Sequence, residues 1–257
     1  MWLGTGQSLP FFSKPMTNPL APQAFFELQG FACADIFEGS AYVWEVLARI
    51  GSYLRERIEG RGHEIHGCVL PGAHLAAGDI LIGPGTVVEP GAYIAGPTII
   101  GANCEIRQGA YIRGNVILGD GTVVGHATEV KNSILLPEAA APHFNYVGDS
   151  ILGRHVNLGA GTKLSNLTVV SVKDPVTGRR PTLKVAVDGV TYDTGLAKLG
   201  AILGDHVQTG CNSVLNPGVL IGPRTLVYAN ASLPKGYYPA DSIIKLRQTF
   251  ETVERRS

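Results

Sequence analysis

The sequence predicts an all-β solenoid, a parallel β-helix of about seven coils, and three observations carry that prediction. From residue 82 an aliphatic side chain recurs every six residues: Ile82, Val88, Ile94, Ile100, Ile106, Ile112, Leu118, Val124, Val130 and Leu136. The frame extends backwards to Ala76 and Leu70. Four residues after most of these comes a small or β-branched residue, as at Thr86, Ala92, Thr98, Cys104, Ala110 and Thr122. Glycine supplies 33 of 257 residues and often follows the aliphatic, as at Gly83, Gly101, Gly119 and Gly125. An amphipathic helix would show spacings of three and four, and an ordinary strand would alternate briefly and stop. In a β-helix each hexad gives one short strand and one corner, and three hexads close a coil of about 18 residues. The aliphatics point into a narrow interior, glycine permits the turns, and coils stack at roughly 4.8 Å.

The elements follow in chain order. Residues 1–62 form an extension, and its opening "MWLGTGQSLPFFSKPMTNPLAP" is broken by prolines and has no apolar run of signal-peptide length. No apolar stretch in the chain approaches the ~20 residues of a membrane span. Four scattered cysteines, Cys33, Cys68, Cys104 and Cys211, have neither disulfide-framework nor metal-ligand spacing. A cytoplasmic protein with no membrane partner is expected. Within the extension, residues 40–59 read as an amphipathic helix whose apolar stripe is Val43, Leu47, Ile50, Leu54 and Ile58. Its expected role is to cap the first coil, since a solenoid leaves an unpaired strand edge at each end.

The solenoid is expected over residues 63–236. Its frame breaks at "PEAAAPHFNY", residues 137–146, read as an inserted loop, and resumes at Leu152, Leu158 and Leu164, with Tyr146 one hexad earlier. A second insertion, residues 168–199, carries the hairpin signal Asp188-Gly189 between two β-prone runs. The frame returns at Leu203, Thr209, Leu215, Ile221, Val227 and Leu233. Residues 237–257 form a tail, with a helix-start signal at Asp241 and a short C-terminal helix expected.

Lysine plus arginine (21) balance aspartate plus glutamate (21), which leaves no footprint for nucleic acid. Arg113 and Lys131 are separated by three hexads, one full coil, and each comes just after its aliphatic. Two cations stacked on one wall repel unless an anion joins them, which points to a phosphate or carboxylate ligand; two unrelated surface charges is the plainer alternative. His143 is a candidate general base, imidazole having an unperturbed pKa of ~6.5. His126, His143, His155 and His206 occupy different frames with no short ligand pair, so no metal site is expected.

The stretch from Arg113 to Asn166 resembles the acetyltransferase domain of the bifunctional enzyme that makes UDP-N-acetylglucosamine. "EVKNS" (129–133) stands at the Glu-Ile-Lys-Lys position, "PHFNYVGDS" (142–150) matches Gly-His-Leu-x-Tyr-Leu-Gly-Asp, and "VNLGAGTKLSN" (156–166) matches Val-Asn-Ile-Gly-Ala-Gly-Thr-x-x-x-Asn. The resemblance implies a left-handed helix, against the usual right-handed crossover. It implies an acetyl-CoA-dependent N-acetyltransferase acting on glucosamine 1-phosphate or a similar amino-sugar phosphate, assembled as a homotrimer and needing no metal. His143 would take the amine proton, Arg113 and Lys131 would hold the sugar phosphate, and Tyr146 and Asn157 would bind the sugar. Lys198 would be a further substrate lysine, Asn166 would help position the acyl donor or substrate, Glu129 would orient nearby cations, and Ala160, Cys211 and Ala229 would line the acetyl-CoA groove. The chain departs from the pattern at Leu167, where the family has Tyr, and in the long 168–199 segment. Residues 1–62 are too short for the family's nucleotide-binding half. The alternative is a non-catalytic solenoid that binds sugar nucleotides or serves a nucleotidyltransferase as a scaffold.

Overall fold

The hexads close into three flat walls. In the computed structural model, which describes residues 18–253 and 255, strands of two to four residues form parallel sheets of nine, nine and eight strands. Wall A runs from His63–Ile65 to Gly236–Tyr238, wall B from Cys68–Val69 to Ile243–Ile244, and wall C from His74–Leu75 to Ser232–Leu233. The chain visits A, B and C in turn and pairs each strand with its counterpart one coil on. The fold is a parallel β-helix.

Eight full coils and two walls of a ninth replace the expected seven or so. Two of the differences come from strands where none was expected. Residues 137–146 do not leave the solenoid: Ala140–His143 lies in wall B and Tyr146–Gly148 begins the next strand of wall C. At the C-terminus, Gly236–Tyr238 and Ile243–Ile244 add the first two walls of a ninth coil, and no helix follows among the described residues. The open edge of the preceding coil offers residues 241–246 ladder hydrogen bonds, which outweigh a weak local helix signal. Residues 1–17, most of the proline-broken opening stretch, lie outside the described residues.

The hexad frame also slips where it seemed to break. Ile112 pairs with Val130, a full three hexads on. Val130 pairs with Val147, and Ile134 with Ile151, each one residue short of that spacing. Each of these two coils is one residue shorter at the corner from wall C to wall A. Leu135 rather than Leu136 therefore enters the interior, and Val147 rather than Tyr146. A one-residue shift exchanges inward and outward faces, so Tyr146 is turned out of the core.

The glycines that follow the aliphatics serve close approach. A Cβ on Gly125 would overlap the Pro142 carbonyl, and one on Gly119 would lie 2.5 Å from the Pro137 nitrogen. Neither has a positive φ; stacked backbones leave no room for a side chain.

The extension does not cap the first coil. It lies along wall A, whose outward residues Ile117, Ile134, Leu136, Ile151, Ile202 and Leu220 join Phe25, Phe37, Trp44, Ile50 and Leu54 in a second buried cluster. The expected 40–59 helix is split into a 3-10 turn, Val43–Ala48, and an α-helix, Ile50–Ile58. Gly51 lets that helix press on the solenoid, since a Cβ there would sit 3.3 Å from Asn115 Oδ1. Asp205 fixes the segment by accepting the Glu27 N–H (2.7 Å) and the Arg154 N–H (2.8 Å). The hairpin Lys184–Val187/Val190–Asp193 turns at Asp188 and Gly189, both with positive φ, and packs Leu183, Val185 and Val187 onto the same cluster.

Candidate active site on wall C and its corners

Alternation along each short strand of wall C sends one residue inward and its neighbours outward. The register aligns His74 with Tyr93 and Tyr93 with Tyr111. It continues through Tyr111 and Glu129, Glu129 and Tyr146, and Tyr146 and Lys163, forming one outward column. Arg113 and Lys131 follow the inward Ile112 and Val130 and form a second column beside the first.

The two cations are not bare. Arg113 Nη1 donates to Glu129 Oε1 at 2.7 Å, and that bond raises the already high pKa of the guanidinium. Lys131 Nζ lies 3.6 Å from Asp149 Oδ2. The repulsion that suggested an external anion is therefore met partly by two carboxylates of the chain itself. Asp149 is buried and also accepts from Asn132 Nδ2 at 2.8 Å and from Asn166 Nδ2. Tyr146 reaches over the missing side chain of Gly148, where a Cβ would meet its hydroxyl at 2.6 Å and Asn166 Nδ2 at 2.9 Å. Burial, then the charges of Glu129 and Asp149, push the Tyr146 pKa up and keep the phenol protonated. The result is a half-buried polar cluster of Arg113, Glu129, Lys131, Tyr146, Asp149 and Asn166.

A different column occupies the corner from wall B to wall C. His126 and His143 are in register. Successive backbone bonds then run from Gly161 N–H to His143 O (3.0 Å), Asn212 N–H to Ala160 O (2.8 Å), and Asn230 N–H to Cys211 O (2.8 Å). His143, Ala160, Cys211 and Ala229 therefore line one edge of the prism. His143 is exposed; its backbone N–H donates to Asn145 Oδ1 at 3.1 Å, and Phe144 beside it has a φ of 36°. Small residues below His143 leave the corner backbone open to a ligand.

The structure groups most of the sequence-selected residues into these two clusters but does not bring all of them together. Asn157 is exposed on wall B, between Ala140 and Gln208. One corner separates it from Tyr146. Lys198 is exposed where the 168–199 segment rejoins the solenoid, and the next N–H, of Leu199, donates to Asn166 O at 3.2 Å. Asp149 was not singled out from the sequence, although it ends the Tyr-x-Gly-Asp piece. Tyr93 and Tyr111 were missed too; their signal was a tyrosine before the inward aliphatic in successive coils. Among the described residues, no group of three or more His, Cys, Asp or Glu is arranged to hold a metal ion, and no helix is long and apolar enough to cross a membrane.

Residues 94–180 match the family model described as the GMPPB C-terminal domain. The chain is 38% identical over 98 residues to a bifunctional sugar-1-phosphate nucleotidylyltransferase/acetyltransferase of Sulfurisphaera tokodaii, covering 38% of this chain and 22% of that protein. It is 31% identical over 235 residues to the bifunctional protein GlmU of Methanococcus maripaludis, covering 89% of this chain and 52% of that protein. The chain thus spans about half, or less, of the curated relatives it matches. Among solved structures, a Francisella novicida UDP-N-acetylglucosamine acyltransferase aligns at 13% identity with a TM-score of 0.41, covering 65% of this chain and 59% of that one.

Proposed function

We propose, on the premise that the chain carries a GlmU/GMPPB-type C-terminal hexapeptide domain, that it is an acetyl-CoA-dependent N-acetyltransferase acting on an amino-sugar 1-phosphate. The observation that carries this reading is the pairing of an exposed histidine, set above a column of small corner residues, with a partly neutralised two-cation cluster on the adjoining wall. Acetyl transfer needs both parts: a site for an anion that fixes the acceptor, and a base beside a groove for the thioester.

In the proposed reaction the neutral amine attacks the thioester carbonyl, forming a C–N bond. His143 accepts the proton the nitrogen sheds. Collapse of the tetrahedral intermediate breaks the C–S bond, and the proton leaves with the CoA thiol. Arg113 and Lys131 hold the phosphate, sharing their charge with Glu129 and Asp149. Tyr146, kept protonated, donates to a sugar oxygen. Asn166 is held by Asp149 and so preorganises that edge of the site, while Ala160, Cys211 and Ala229 leave space for the pantetheine arm. No step calls on a metal or a covalent cysteine.

Wall B of one copy facing wall C of another would bring Asn157 and Tyr146 to one acceptor. A closed ring of three copies satisfies that contact with one repeated interface, so we assign a homotrimer, with Lys198 contributing at the same seam. Four free cysteines suit a reducing cytoplasm.

The test is thiol release from acetyl-CoA with a panel of amino-sugar 1-phosphates. His143→Ala should lose most turnover, in keeping with the roughly 10²–10⁴-fold contribution of a general base, with oligomeric mass and thermal midpoint unchanged. Undiminished turnover would remove His143 as the base. No turnover with any acceptor, combined with saturable sugar-nucleotide binding, would instead make the solenoid a binding subunit.

A further inference from the structure

The residue after His143 is one that the fold does not call for. At the corner from wall B to wall C, the residue whose N–H bonds back to the preceding coil has a left-handed backbone in coil after coil. Ala127 has a φ of 50°, Gly161 of 73°, Asn212 of 56° and Asn230 of 60°. Glycine and asparagine suit that conformation, and bulky side chains do not. Phe144 occupies the same step, with a φ of 36° and its N–H on His126 O at 2.7 Å. Among the described residues it is the only large apolar side chain with a positive φ. Burial does not offset the strain, since Phe144 is 53% exposed. Residues held in strained backbone cluster at active sites, where function needs them.

Two columns run side by side along this corner. One is Ala160, Cys211 and Ala229; the other is Gly161, Asn212 and Asn230. With a small residue at 144, both would stay open up to His143 and form a trough two columns wide. The Phe144 ring instead lies along Gly161, where a Cβ would come 3.1 Å from Phe144 Cε2. It therefore narrows the trough at its His143 end. The thioester lies at that end if His143 is the base and the pantetheine arm follows the small residues. Tyr146 begins the next strand of wall C, so the acceptor amine approaches from that side. The acyl carbon is then left against residue 144, between base and acceptor.

We propose that Phe144 sets the size of the transferred acyl group, admitting acetyl and excluding longer chains. This rests on the acetyl-transfer reading and gives it a donor-selecting residue. The ring occupies the volume over Gly161 that further methylenes would need. A methyl group fits beside it, and each added methylene meets it.

Two measurements test it on the full chain. In the first, thiol release is followed from acetyl-CoA and propionyl-CoA with glucosamine 1-phosphate as acceptor. Wild type should prefer acetyl-CoA. Phe144→Gly and Phe144→Asn should lower the ratio of kcat/KM for acetyl-CoA over propionyl-CoA by about 10- to 200-fold, the range for one methylene in an apolar site. Phe144→Tyr, which keeps the ring, should keep the wild-type ratio. Glycine and asparagine relax the backbone at this step, so the thermal midpoints of the first two variants should equal or exceed that of wild type. In the second, both donors are titrated by calorimetry with no acceptor present, and their relative affinities should change in the same direction.

Equal use of both donors by wild type, or an unchanged ratio in both variants, overturns the selection while leaving acyl transfer standing. A lowered thermal midpoint or altered oligomeric mass with an unchanged ratio overturns it too, and makes the ring a packing element or a contact between copies. Relative affinities that depend on Phe144, without thiol release from either donor, support the selection and remove the transfer reading. Failure of wild type to bind either donor overturns both.

Discussion

Asp149 holds three partners from a position with little access to water. Asn132, Asn166 and Lys131 all converge on its carboxylate, and its own φ of 47° places it in the left-handed region. Asp149→Ala would leave two amides and an ammonium without their acceptor, at about 1–3 kcal/mol for each buried group left unsatisfied. The thermal midpoint should fall and the KM for a phosphate-bearing acceptor should rise, as measured by thermal unfolding and initial rates; an unchanged midpoint and KM would show that the carboxylate organises nothing. At this scale the sequence was informative about identity and weaker about neighbours. Arg113, Lys131, His143 and Tyr146 could be selected from their spacing and motif. That Lys131 has Asp149 as its carboxylate partner could not, because pairing depends on side-chain directions that a period does not specify. Tyr146 was assigned to the interior column by counting one hexad back from Leu152, and only the shortened corner between Val147 and Leu152 turned it outward.

Besides its apolar burial on wall A, the N-terminal segment is tied to the solenoid by a few directed contacts, and Asp205 is central to them. Burial, more than its hydrogen bonds, sets the direction of its pKa, which is raised above the ordinary carboxylate value. A carboxyl group with a raised folded pKa binds its proton more tightly in the folded state. Its contribution to stability is therefore fully present below the unfolded pKa and is lost as pH rises through the folded pKa. Thermal midpoints of wild type and Asp205→Asn across the acid range should show the difference moving against wild type as pH increases; a difference that is flat with pH would contradict this. Exposed carboxylates with lowered pKa act in the opposite sense and lose their contribution on acidification. Asp35 is one, its desolvation outweighed by hydrogen bonds from Tyr53 and Arg57. The strands and the hairpin turn were legible from periodicity and from Asp188-Gly189. The 3-10 turn before the α-helix was not, because its geometry is imposed by packing on wall A.

Across the whole molecule there are two apolar clusters, one inside the prism and one between wall A and its cover. Trp44 is 1% exposed in the second, stacked on Tyr42 at 4.9 Å and edge-on to Tyr192 of the hairpin at 6.2 Å. Trp44→Ala should cost about 3–5 kcal/mol, the usual range for emptying a large aromatic site, and lower the urea midpoint. An unchanged midpoint would mean that the cover is not coupled to the solenoid. The sequence by itself determined the repeat, because an inward aliphatic every six residues is a local requirement that each coil states anew. It also determined which polar residues are candidates for chemistry, since their types and spacing are written in the chain. Only the tertiary structure decided that a ninth coil begins, that residues 137–146 stay within the solenoid, and that wall A is covered beyond its first coil. Each of those outcomes is a competition between local preference and non-local pairing: an open strand edge supplies ladder hydrogen bonds, and an apolar wall removes surface from water. No window of sequence contains both competitors.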